Sequence, residues 1–78
     1  MKNVTIYSTP NCKYCVKAKE FFDKNKVSYK SVDVASDPMA KAHMIERSGQ
    51  LGVPVIIVGQ DVVVGFNQKK LEELLDIR

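Results

Sequence analysis

Val4 and Ile6, with Thr5 and Tyr7 between them, form a short β-branched and aromatic run that ends in the turn-prone Ser8-Thr9-Pro10-Asn11. This pattern predicts a first strand. From Lys13 to about Asn25, apolar Cys15, Ala18, Phe21 and Phe22 recur at helical spacing, and lysines and Glu20 occupy the other side. An amphipathic helix therefore follows the turn directly. Val27, Tyr29, Val32 and Val34 predict a second strand whose alternation breaks near Lys30-Ser31, which marks either a bulge or a misassigned register. Strand, helix and strand in about thirty residues make a βαβ unit.

In the second half, Ser36-Asp37-Pro38 supplies a cap residue followed by a proline, which is tolerated at a first helical position because its missing N–H would be unpaired there. The helix it starts should run to about Ser48. Gly49 suits the left-handed position after it, and Arg47 favours the negative end of the helix dipole. Val55-Ile56-Ile57-Val58 is a continuous apolar run, the mark of a strand buried on both faces. Gly59-Gln60-Asp61 turns it into Val62-Val63-Val64, so these two strands read as a hairpin. Gly65-Phe66-Asn67 then opens a last helix whose Leu71, Leu74 and Leu75 face the core. Met39 and Met44 read as core filler, and His43, mid-helix, as a packing or surface residue.

Length and composition limit this picture to one domain, 1–78. A 78-residue chain with 45% apolar and 27% charged residues has ordinary globular composition. The opening residues alternate apolar with polar and lack the apolar core of a signal peptide, so a cytoplasmic protein is expected. The longest apolar runs fall far short of the roughly 20 residues that span a bilayer, so no membrane association is expected. Net charge is +3, with Lys13, Lys17, Lys19, Lys24, Lys26 and Lys30 crowded into one stretch. That stretch is either a solvated helix face or a surface for acidic partners. No aromatic-rich sheet motif accompanies the charge, so nucleic acid is not expected as a partner.

The chemistry lies in Cys12-Lys13-Tyr14-Cys15. Two cysteines so close together close too short a loop to staple a fold, so their purpose is chemical. With Cys12 at the helix cap, Cys15 is the third helical residue, and the two sulfurs are placed to bond reversibly. Unpaired N–H groups and the positive end of the helix dipole favour the thiolate of Cys12, and Lys13 and Lys17 add positive potential. Cys12 is then the nucleophile. Cys15, deeper on the apolar stripe, stays protonated until it resolves the mixed disulfide. Two other readings compete. A structural zinc site needs four ligands, and the chain offers two thiols, His43 and carboxylates without a second paired motif, unless two chains share a cluster. Both cysteines could also be small buried hydrophobes, although the turn before Cys12 argues for exposure. A CxxC pair directly after a first strand, inside a βαβ unit, is a strong redox signal. Tyr14 is read as exposed, either an idle turn residue or an apolar rim for substrate.

The segments Tyr7-Ser8-Thr9-Pro10-Asn11-Cys12-Lys13-Tyr14-Cys15, Gly52-Val53-Pro54 and Val64-Gly65-Phe66 together resemble a glutaredoxin, and the similarity covers essentially the whole chain. The resemblance implies the α/β thioredoxin fold, a four-stranded mixed sheet of order 2-1-3-4 flanked by three helices. It implies a cis Val53–Pro54 bond beside the cysteines, with the backbone of Val53 available to an incoming peptide. Lys13, Tyr14, Val53, Pro54, Gly65 and Phe66 become the candidate substrate-binding residues, and Cys12 and Cys15 the catalytic pair. The implied activity is dithiol reduction of protein disulfides or glutathione mixed disulfides by a monomer with no bound cofactor and no metal. Glutathione enters as reductant or substrate.

Several positions depart from the family pattern. Lys13 stands where many members have proline, Thr9 where they carry a cation, and Gly52 where they carry threonine. Their paired glycines followed by an acidic residue are here Gly65-Phe66 followed by Asn67, Gln68, Lys69 and Lys70. The Gly-Phe pair is similar to that of small redoxins that serve ribonucleotide reductase and are recharged by thioredoxin reductase. That gives an alternative electron donor. An alternative of another class is an iron–sulfur or metal carrier formed by two chains.

Overall fold

The computed structural model describes residues 3–77. In chain order the elements are β1 (Val4–Ser8), α1 (Lys13–Lys24), β2 (Lys30–Asp33), α2 (Pro38–Ser48), β3 (Val55–Val58), β4 (Asp61–Val64) and α3 (Gln68–Leu75). The four strands form one sheet of order β2-β1-β3-β4. β2 runs parallel to β1, while β3 pairs antiparallel with both β1 and β4. The expected mixed sheet and strand order are therefore present.

Side-chain alternation distributes the core over both faces of this sheet. Val4 and Ile6 of β1, Ile56 and Val58 of β3 and Val63 of β4 pack with Ala18, Phe21 and Phe22 of α1 and Leu71 of α3. Leu74 and Leu75 pack against this cluster half-buried. The intervening positions Tyr7, Val55 and Val62 turn the other way and meet Met44, Ala40 and Ile45 of α2. α1 and α3 thus cover one face, and α2 covers the other.

Helix ends follow local chemistry. Asp37 caps α2 by accepting the N–H groups of Met39 at 3.1 Å and Ala40 at 3.2 Å. Gly49 closes that helix in the left-handed region, at φ 71°, and donates to the Ile45 carbonyl at 2.7 Å. Asn67 caps α3 by accepting from Lys70 N–H at 3.2 Å. Gly59, at φ 62°, takes the first place of the two-residue hairpin turn, which favours glycine.

Two expectations are corrected. The second strand begins at Lys30, not Val27, and its register with β1 is continuous from Lys30 to Asp33, without a bulge. Val27 and Tyr29 are apolar for another reason. They approach the α1 face from the connecting loop, with the Tyr29 ring 5.2 Å from that of Phe22. Met39 is 75% exposed, whereas Met44 is fully buried. Five helical positions separate them by about 140° around the axis, so a single cover face takes only one.

Candidate active site

The sheet register brings the site together. Tyr7 of β1 lies opposite Val55 of β3, which lies opposite Val64 of β4. The end of β1, the start of β3 and the end of β4 therefore share one edge of the sheet. From that edge emerge the loop to Cys12, the Val53–Pro54 segment and the Gly65–Phe66 segment. The Val53–Pro54 bond is cis, and the Gly65 N–H donates to the Pro54 carbonyl at 2.8 Å, tying two of these segments together. Gly65 holds φ 79°, a conformation in which a side chain would be strained.

Cys12 is the N-cap of α1, with extended backbone at φ −94° and ψ 113°. Its N–H donates to the Thr9 carbonyl at 3.4 Å, and its own carbonyl accepts from Val16 at 3.2 Å. Its sulfur does what a capping oxygen does elsewhere, accepting the Cys15 N–H at 3.2 Å. Both cysteines are free thiols, Cys12 half-buried and Cys15 buried at 1% exposure. Burial first, then the hydrogen bond to Cys12, push the Cys15 thiol from 9.0 up to about 12; a hydrogen bond at Thr9 opposes them, and the charges of Cys12 and Lys19 add lesser raising and lowering influences. Cys12 lies half-buried at the head of the helix, and Cys15 is held as a buried thiol behind it.

The remaining candidates fall in different places. Lys13 and Tyr14 are exposed on the same turn, Tyr14 at 59%. Pro54 is buried, and Val53 is half-buried against the α2-side cluster. Phe66 turns inward to the seam between α1 and α3, its ring edge-on to Phe21 at 5.9 Å. A contact beyond those expectations is that of Lys17, whose Nζ lies 5.3 Å from the centre of the Tyr14 ring. The signal for it is the i, i+3 spacing on α1.

A concavity of about 730 Å³ lies at the other end of the sheet, lined by Val4, Val27, Leu74 and neighbours, and contains no thiol. It is apolar and roomy. The reactive groups, and not cavity size, make the cysteine turn the candidate site. Among the described residues no group of three or more metal-ligating side chains converges, and no helix is long and apolar enough to cross a membrane.

Comparison with known proteins agrees with this geometry. The glutaredoxin family model matches residues 4–63. A glutaredoxin-like 8.6 kDa protein encoded in a rubredoxin operon of Clostridium pasteurianum is 37% identical over 73 residues, covering 94% of this chain and 97% of the relative. A crystal structure of a point mutant of a thioredoxin-like protein superposes with a TM-score of 0.92 at 35% identity, covering 100% of both chains. The glutaredoxin-like NrdH-redoxin of Escherichia coli, described as having a thioredoxin-like activity profile, superposes with a TM-score of 0.81 at 25% identity, covering 92% of this chain and 93% of its own. With a CxxC pair at the head of α1 and this strand order, the chain belongs to the glutaredoxin family of the thioredoxin superfamily, whose members are generally thiol–disulfide oxidoreductases.

Proposed function

We propose that the protein is a dithiol reductase of protein disulfides or glutathione mixed disulfides, acting through Cys12 and Cys15. The observation that carries this reading is Cys12 at the helix cap, half-buried, with the fully buried Cys15 thiol one turn behind it. The Cys12 thiolate attacks one sulfur of a substrate disulfide. A Cys12–substrate S–S bond forms, the original S–S bond breaks, and the first substrate thiolate leaves and takes a proton. Cys15 then loses its proton and attacks the Cys12 sulfur, releasing the second substrate thiolate and closing a Cys12–Cys15 disulfide. Two electrons pass to the substrate in each cycle.

The causes that keep Cys15 protonated give this sequence its order. Both influences that come from Cys12, its hydrogen bond and its charge, raise Cys15 only while Cys12 is free. Once Cys12 is bonded in a mixed disulfide they vanish, and Cys15 ionises more readily at the step that needs its thiolate. Reduction of a disulfide substrate by Cys12→Ser should be abolished, and normal turnover by that variant would refute the assignment. Cys15→Ser should accumulate a covalent substrate adduct on Cys12, visible as added mass that a reducing agent removes.

Thioredoxin reductase as electron donor, with ribonucleotide reductase among the recipients, is favoured over glutathione by Phe66 and the lysines after it. The likeness to NrdH-redoxin supports the same choice. A reducing compartment such as the cytoplasm suits a pair of free thiols, and a monomer suffices for the cycle. The competing metal-carrier reading is tested by anaerobic purification. Visible absorbance, bound iron and elution as a dimer would replace electron transfer as the sole function.

A further inference from the structure

Lys17 sits where two parts of the surface meet. Its ammonium lies 5.3 Å from the centre of the Tyr14 ring, and Tyr14 lies between the two cysteines. Lys17 also borders a groove of about 420 Å³ along the α1–α3 seam, where Phe21 and Phe66 contribute apolar surface and Lys24 lies further along. A ring face attracts a cation without neutralising it, so the ammonium keeps its full charge while being held toward the cysteine turn. Lys13 is the neighbouring cation on that turn, and the first turn of α1 has no acidic residue. Glu20, one helical turn further from Cys12 than Lys17, and Glu72 of α3 also border the groove, so the positive charge is concentrated at its Lys17 end beside the cysteine turn.

From this arrangement we infer that Lys17, held over Tyr14, is a specificity-determining residue that gives Cys12 a preference for disulfides with a carboxylate beside the bond under attack. The inference rests on the oxidoreductase reading. It extends that reading from a reaction type to a substrate class: acidic segments of protein or peptide disulfides, with an apolar neighbour suited to the seam. Substrates carrying a lysine at the same place meet two like charges, Lys13 and Lys17, and are disfavoured.

The test separates charge at Cys12 from turnover. Reduced protein is treated with iodoacetate and, separately, with iodoacetamide. In each reaction the Cys12 thiolate attacks the methylene carbon, an S–C bond forms, the C–I bond breaks and iodide leaves. The ratio of the two rate constants cancels any change in thiolate nucleophilicity and reports the local preference for an anion. Lys17→Met should lower that ratio by about twofold to threefold at low salt, the scale expected when one exposed charge at the cysteine turn acts on an anionic reagent. Lys17→Arg should retain the ratio, and the difference should shrink as salt is added. Lys24→Met, which removes the same charge further along the groove, should leave it unchanged. An equal fall in Lys24→Met, or no fall in Lys17→Met, would overturn the inference. In a second arm, peptide disulfides matched except for Asp or Asn beside the cysteine are reduced. The Asp peptide should be preferred by the native protein and by Lys17→Arg, and lose its advantage with Lys17→Met. Equal rates for both peptides with the native protein would overturn the specificity claim. If neither peptide is reduced while the alkylation ratio still depends on Lys17, the oxidoreductase reading fails and the charge effect stands.

Discussion

At the scale of single residues, the two cysteines differ in little but their surroundings. Cys12 occupies the half-in cap position, while Cys15 falls on the same stripe as Ala18 and Phe22, facing the sheet. Burial of Cys15 disfavours its thiolate because a charge loses its hydration there. Brief treatment of the reduced native protein with iodoacetamide at neutral pH should therefore give a single adduct, located on Cys12 by mass spectrometry. Unfolding in urea should expose both thiols to label. Two adducts under native conditions would show that Cys15 is not shielded. The same displacement has a pH consequence. Below about 9.0 both folded and unfolded chains keep the Cys15 proton, whereas between there and about 12 the unfolded chain releases it and the folded chain holds it. The unfolded form then gains relative to the folded one, and stability falls as pH rises through that window. Urea midpoints of the reduced protein from pH 8 to 11 should fall more steeply than those of Cys15→Ala, and parallel curves would contradict the displacement.

At the scale of elements, the last helix is the weak point. α3 has 8 residues, Leu71 is its only fully buried side chain, and its first turn carries Lys69 and Lys70 against the helix dipole. The Asn67 cap therefore matters more than it would on a longer helix. Asn67→Ala should cost about 1 kcal/mol, and Asn67→Asp should recover it by keeping the acceptor and adding a favourable charge. Chemical denaturation of the three proteins checks this, and a neutral Asn67→Ala change would mean that packing alone holds α3. Elements of this kind are legible in sequence because each carries its own period and punctuation, such as Asp37-Pro38 before α2 and Gly49 after it. β2 is less legible. Val27 and Tyr29 look like strand residues because they are apolar, but their burial comes from contact with the α1 face and not from pairing with β1. Met39 misleads for a similar reason, since hydropathy alone does not say which side of α2 the sheet covers. The cysteine pair is legible to the residue because cap, spacing and preceding strand point the same way. Which partner each exposed side chain chooses, as Lys17 chooses Tyr14, is set by the folded surface.

At the scale of the whole molecule, the choice of electron donor depends on how charge is laid around the shared sheet edge. β1 and β4 run in the same direction, since each is antiparallel to β3, so α1 and α3 both start from the edge that holds the cysteine turn. Neither helix has an acidic residue in its first turn, and Lys13, Lys69 and Lys70 are exposed there. Glutathione carries two carboxylates and an ammonium group. This edge offers cations for the carboxylates, but the first turn of α3 offers lysines where an acceptor for the ammonium is needed. A charged hydrogen bond left unmade is worth roughly 1.5–3 kcal/mol, which corresponds to about tenfold or more in affinity. Phe66, which follows Gly65 at this edge, turns into the α1–α3 seam and sets its ring against Phe21. A reductase docks through a larger surface and does not depend on that one acceptor. Reduction of the oxidised protein should accordingly be at least about tenfold less efficient with glutathione at millimolar concentration than with thioredoxin reductase and its nicotinamide donor. Lys69→Asp with Lys70→Asp should narrow the gap by restoring an acceptor for the ammonium. Fast turnover with glutathione and none with the reductase would show that the Phe66, Lys69 and Lys70 surface does not select the donor.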